Sequence, residues 1–293
     1  MRSEQLQSLA VNGIKLHWLD KGQGDIVVFI PGTTGDYRAW TNQFEEFAKH
    51  FRTITVSRRF QFPDKYPANG SSSVTENCDD LFQLFKHLNI SKATVIGHSF
   101  GGYVSLAFAE KYPQLIDKLV LEEPTVFNFI TSNPNNPIKI LLLMLKDFSA
   151  ATSFLRIGLK GIKPTKRYLA AGQLEKAKLS FADGIIGHKI NPDDLNPVMR
   201  QGLDDNIATF AGESKTAFSY TLTMEQLKNV SAKTLLLVSD KSPKWFGYIC
   251  RQLNRLMPDS KLVKISSPTH WLHLDKADGF NRIVINFIKH DNG

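Results

Sequence analysis

The chain has 293 residues, 42% of them hydrophobic and 22% charged, with 19 Gly and 13 Pro, a usage that excludes disordered and fibrous proteins. Lys and Arg number 36 against 28 Asp and Glu, a formal charge of +8, and the two cysteines, Cys78 and Cys250, are too few for a disulfide framework. The longest apolar run, Ile140 to Leu145, falls far short of the ~20 residues of a bilayer-spanning helix. The length suits one large α/β domain with an insertion. No apolar stretch follows the N-terminal residues Met1 to Gln7, so no secretory leader is expected and the expected compartment is the cytoplasm.

In chain order, Leu6–Ala10 and Ile14–Leu19 flank Asn12-Gly13, a dipeptide that accepts the positive φ angles of a tight hairpin. Asp25–Ile30 is a short apolar run stopped by Pro31-Gly32, the pattern of a strand buried on both faces. Similar runs recur at Thr53–Val56, Ala93–Ile96, Leu119–Leu121, Thr234–Val238 and Leu262–Ile265. Helical periods lie between them, at Phe44 to Phe51, Val74 to Leu88 and Phe280 to Ile288. The second opens with Ser73-Val74-Thr75-Glu76, a capping-box pattern. Alternating strands and helices predict a mostly parallel sheet covered on both faces. The alternation fails over 125–230, which is expected to be a helical insertion into a core formed by 1–124 and 231–293.

Within the insertion, residues 139–178 carry nine basic side chains against Asp147 and Glu175. The excess could meet an anionic substrate or a membrane surface, and the plain alternative is a solvated helical face. No nucleic-acid-binding motif accompanies it, so no nucleic-acid partner is expected.

The chemistry concentrates at Gly97-His98-Ser99-Phe100-Gly101, a Gly-x-Ser-x-Gly pattern where a buried strand meets a helix. Glycines at both ends allow a turn sharp enough to lift the serine oxygen above the sheet edge. A serine hydroxyl needs a base, and His270 follows the last strand at the same edge. His98 and His273 read as structural, and His270-x-x-His273 lacks the spacing of a zinc protease, so neither a metal nor an organic cofactor is expected.

These blocks resemble the α/β-hydrolase superfamily over nearly the whole chain. Ser99 matches its nucleophile elbow, Thr269 to Asp275 its late histidine block, and Ile30 to Trp40 its loop after the third strand, with Pro31-Gly32 in place of the usual His-Gly. The resemblance implies an oxyanion hole made by the N–H groups of Thr33 and Phe100. Members often place an Asp just beyond the seventh strand, where this sequence has Ser242. Others, including some lactone hydrolases, carry the acid after the sixth strand, where Glu123 stands 24 residues past Ser99. Glu123 is therefore the expected acid, with Asp240 and then Glu122 as alternatives.

A serine nucleophile argues for attack on an acyl carbon, not on the alkyl carbon of an epoxide or haloalkane. The expected activity is hydrolysis of a medium-sized, largely apolar ester or lactone through an acyl-enzyme on Ser99. Hydrolysis of a C–C bond in a diketone, and ligand reception without turnover, are the alternatives. In this family the insertion would form a cap, in which Phe127, Phe129, Leu141, Leu142, Met144 and Phe148 could line an apolar pocket.

Overall fold

A computed structural model describes residues 5–67, 69–131, 137–267 and 269–290. The outer ends of the expected core, 1–4 and 291–293, lie outside these, as do 132–136 of the expected insertion. Among the described residues eight strands form one sheet: β1 (Gln7–Val11), β2 (Ile14–Lys21), β3 (Ile26–Ile30), β4 (Arg52–Ser57), β5 (Ala93–His98), β6 (Ile116–Glu122), β7 (Lys233–Ser239) and β8 (Ser260–Ile265). Their spatial order is β1-β2-β4-β3-β5-β6-β7-β8. β2 runs antiparallel to β1 and β4, and every other pairing is parallel. The hairpin turns at Asn12 and Gly13 with φ of 49° and 76°, as the dipeptide predicts.

The sheet divides two apolar cores, and the alternation of side chains along each strand sorts residues between them. Val28, Ile30 and Val95 face one core with the helices Val74–His87, Ser99–Lys111 and Lys244–Leu256. Val27, Phe29 and Ile96 face the other, closed by Trp40, Phe47 and the helix Ala277–His290. Ser73 and Glu76 make the predicted capping box, each side chain accepting from the other's backbone N–H. Cys78 and Cys250 are buried and free.

β6 is longer than its apolar run, because Asp117 is exposed while Lys118 is buried and its ammonium donates to the Ile288 carbonyl at 2.6 Å. That carbonyl belongs to the last turn of a helix, where the backbone favours a cation. From β6 to β7 the described residues form helices and no strand, among them Pro137–Lys146, Phe148–Ile157, Lys163–Ala170, Leu174–Ile186, Pro197–Asn206 and Thr209–Thr216.

Candidate active site

β5 ends at His98, and the helix Ser99–Lys111 starts at the next residue, so the reversal is taken up at Ser99 itself, with φ of +54°. A non-glycine residue holds that angle only where its surroundings dictate it. A Cβ at Gly101 would stand 2.3 Å from the Pro31 carbonyl oxygen, and one at Gly97 would stand 2.3 Å from Ser105 Oγ. The two glycines are thus required by close approach, and Ser99 is left at the rim of the sheet. The helix start leaves its first N–H groups, that of Phe100 among them, without intrahelical acceptors.

Thr33 lies across from this turn, and it lines the same cavity as Ser99 and Phe100. Its loop is tied down through carbonyls: Arg58 Nε donates to Pro31 O at 2.8 Å, and Arg58 Nη2 and Gln61 Nε2 each donate to Gly32 O at 2.9 Å. In a trans peptide the C=O and the following N–H point opposite ways, so holding Gly32 O fixes the direction of the Thr33 N–H.

His270 and Glu123 meet in the interior. His270 Nδ1 lies 2.6 Å from Glu123 Oε2, with neither side chain more than 1% exposed. The Glu123 backbone is also left-handed, with φ of +43°, which turns its side chain back under the end of β7. There Oε1 accepts from the Ser239 N–H at 2.8 Å and from the Ser242 hydroxyl. The residue at the more usual acid position therefore serves as a hydrogen-bond donor to the carboxylate. Asp240 makes no hydrogen bond or ion pair with His270; its backbone N–H bonds Ile265 O, and among the described residues its Oδ1 is buried without a partner.

The imidazole of His270 stacks on Phe246, with ring centroids 4.0 Å apart. Burial pushes its pKa well below the usual histidine range, helped by His98 and His273 nearby, so the ring is neutral. Burial pushes the Glu123 carboxyl up, while its hydrogen bonds from Ser242 and Ser239 favour the anion. Among the described residues His270 Nε2 is buried without a hydrogen-bond partner, and His270 shares a recess with Ser99, Gly32 and Thr33. Ser99, Glu123, His270, Thr33 and Phe100 are thus gathered at one edge of the sheet, although no hydrogen bond joins Ser99 to His270.

A second His–Glu pair lies beside the first. Glu122 points to the opposite face of the strand end and holds His273 Nδ1 at 2.8 Å. Burial pushes Glu122 up to about 7 and His273 down to about 3. His98, pushed down to about 4 mainly by burial, places Nε2 3.2 Å from the His270 carbonyl oxygen. His98, Glu122 and His273 offer ligand-type atoms within 4.8 Å of one another. The hydrogen bond between Glu122 and His273 and the contact of His98 with the His270 backbone tie this trio to the His270 loop as a scaffold, while His273 Nε2 is buried without a partner among the described residues.

The cavity above Ser99 differs from the expected one. Of the six side chains expected to line it, only Phe127 does. Leu141, Leu142 and Phe148 are exposed, while Phe129 and Met144 are half-buried. The wall is instead Phe154, Ile157, Phe181, Phe210, Phe218 and Trp245. Among the described residues no Lys or Arg lines it: eight of the nine basic side chains of 139–178 are exposed, and the ninth, Lys178, is half-buried in ion pairs with Glu175 and Asp204, so none is placed there to meet a substrate carboxylate. Among the described residues the one charged group of the wall is Glu213, which the sequence reading did not single out. Its Oε1 accepts from Arg58 Nη2 at 2.6 Å, with side chains 4% and 1% exposed.

Comparison with known proteins follows this geometry. The chain matches a family described as the alpha/beta hydrolase fold over residues 25–277. It is 32% identical over 110 residues to epoxide hydrolase 1 of Caenorhabditis elegans, a match covering 36% of this chain and only 27% of that protein. It is 22% identical over 289 residues to 2-hydroxy-6-oxo-6-phenylhexa-2,4-dienoate hydrolase of Burkholderia cepacia, covering 95% of this chain and 92% of that one. Among solved structures, a thermophilic esterase from Thermogutta terrifontis superposes with a TM-score of 0.73 at 21% identity, covering 97% of this chain and 98% of that one. With its elbow, its sheet order and a match over most of its length, this chain belongs to the α/β-hydrolase fold family.

Proposed function

We propose that the protein hydrolyses a carboxylic ester or lactone through an acyl-enzyme on Ser99. The observation that carries this reading is the neutral, buried His270, held by Glu123 through Nδ1 and leaving Nε2 without a partner among the described residues in the recess it shares with Ser99. In the cycle His270 Nε2 accepts the Ser99 proton as Oγ attacks the acyl carbon, and the resulting imidazolium is stabilised by Glu123. The N–H groups of Thr33 and Phe100 receive the oxyanion, each worth about 3 kcal/mol. His270 then protonates the leaving alcohol, and a water deprotonated by the same nitrogen releases the acid.

The helices of 125–230 act as the cap in this reading. Their aromatic and aliphatic wall suits a medium-sized, largely apolar substrate, and enclosure keeps bulk water from the acyl-enzyme. Opening an epoxide at an alkyl carbon calls for a carboxylate nucleophile, and the elbow holds a serine instead. Cleavage of a C–C bond in a diketone uses the same set of groups, and the likeness to the Burkholderia cepacia hydrolase favours it as a second reading. We also place the protein in the cytoplasm, where free, buried cysteines are the ordinary state.

Intact-mass labelling with a fluorophosphonate tests the nucleophile. One adduct on the wild type and none on Ser99→Ala is expected, and labelling that survives Ser99→Ala unchanged defeats the proposal. Product analysis on matched esters and diketones separates the two chemistries, and ligand binding without turnover of either would make the protein a receptor.

A further inference from the structure

The helix Pro137–Lys146 exposes Ile138, Leu141, Leu142 and Leu145 at 62%, 59%, 49% and 80%, and Phe148 just beyond it is 68% exposed. The spacing of the first four sets them on one helical face, while Ile140 and Leu143 are buried on the other. The stripe does not feed the cavity and is not part of either core. A contiguous apolar face of this kind marks an interaction surface.

The charge of the stripe helix and of the segments that follow it narrows the choice of occupant. Lys139 and Lys146, seven residues apart, run along one border of it, and Arg156, Lys160, Lys163, Lys166 and Arg167 are exposed on the segments that follow. Between 139 and 174 the only acid is Asp147, which is paired with Arg251 at 2.7 Å. A second copy of this chain would bring two positive surfaces together, whereas an anionic bilayer offers negative charge over an apolar interior. We propose that this face docks on an anionic lipid surface, with the leucine stripe entering the headgroup boundary and the basic side chains meeting lipid phosphates and carboxylates.

Docking there would set the cavity close to the lipid. The stripe helix packs against Phe148–Ile157, whose Phe154 and Ile157 form part of the wall above Ser99. An apolar ester dissolved in the membrane would then lie one helix away from the nucleophile. This supply route rests on the proposed ester hydrolysis; the docking itself does not.

The test is cosedimentation of the full chain with vesicles of phosphatidylcholine alone and of phosphatidylcholine mixed with phosphatidylserine. Binding is expected to the mixed vesicles, weaker at high salt, and little to the neutral ones. Leu141→Ser/Leu145→Ser changes only exposed positions, so its melting temperature should match the wild type while its vesicle affinity falls on the order of tenfold per leucine. Lys146→Glu/Lys160→Glu should remove most of the salt-sensitive part. No binding to mixed vesicles, binding indifferent to the leucine variant, or a dimer abolished by that variant without vesicle binding would each overturn the proposal. The leucine variant should keep wild-type turnover of a soluble short-chain ester and lose turnover of a vesicle-dispersed one. If ester turnover persists in Ser99→Ala while vesicle binding stands, the hydrolase reading fails and the docking does not.

Discussion

Replacing Glu123 by Gln is the sharpest perturbation of this site, because its result follows from three donors that converge on one carboxylate. Oε1 receives the Ser239 N–H and the Ser242 hydroxyl, and Oε2 faces His270 Nδ1. An amide has one oxygen and one NH2, so neither orientation can accept from all three donors as they stand, in a site closed to water. With NH2 toward His270, the imidazole must carry its proton on Nε2 and has no lone pair for Ser99. With NH2 toward β7, the Ser242 hydroxyl can rotate to accept, but the Ser239 N–H cannot. The first orientation costs on the order of 10³ to 10⁴ in kcat, about 4 to 5.5 kcal/mol, and the second costs about 1–3 kcal/mol of folding stability. Steady-state hydrolysis of a chromogenic ester together with thermal unfolding reads both. Glu123→Gln within tenfold of wild-type kcat, or Asp240→Asn alone abolishing turnover, would refute the reasoning.

Other outcomes follow from the same geometry. Burial holds the His270 pKa below its ordinary value, so the neutral base persists as pH falls, and the acid limb of kcat/KM should lie below about 6.5; a limb centred at or above that value contradicts the buried imidazole. Arg58→Met should cost about 3–5 kcal/mol in chemical denaturation by leaving Glu213 buried without its cation, and it should lower kcat by releasing the Pro31 and Gly32 carbonyls. Arg58→Met/Glu213→Leu should recover stability but not kcat, and recovery of both would assign Arg58 to stability alone. Gly101→Ala should abolish stable folding, since its methyl would meet two fixed carbonyl oxygens, whereas Gly158→Ala, helical with nothing within 4 Å, should raise stability by about 0.4–1 kcal/mol; comparable melting temperatures for the two would contradict the tight elbow.

The strands were readable because parallel strands buried on both faces leave apolar runs, and β6 was clipped at both ends, where buried Lys118 and buried Glu122 interrupt its run. That Ser99 and His270 share one recess was readable from short local patterns. Glu123 could be inferred because Ser242 is no carboxylate, yet its left-handed backbone has no glycine to announce it. Arg58 and Glu213 carried no signal, since the two partners stand 155 positions apart and meet only in the folded chain. The cavity wall was misassigned for a related reason. The helix Pro137–Lys146 is apolar on both faces, and periodicity cannot tell which face turns inward.

The contact between Ser242 and Glu123 bears on how such a site could change over time. The tips of two neighbouring strands converge on one point beneath the imidazole, so the negative charge has two possible addresses. A carboxylate installed at 242 while Glu123 is still present would share a proton with it, and a later loss of Glu123 would leave the newcomer in charge. At no stage along that route would the histidine stand unopposed, which makes the donor of the charge exchangeable while the destination stays fixed.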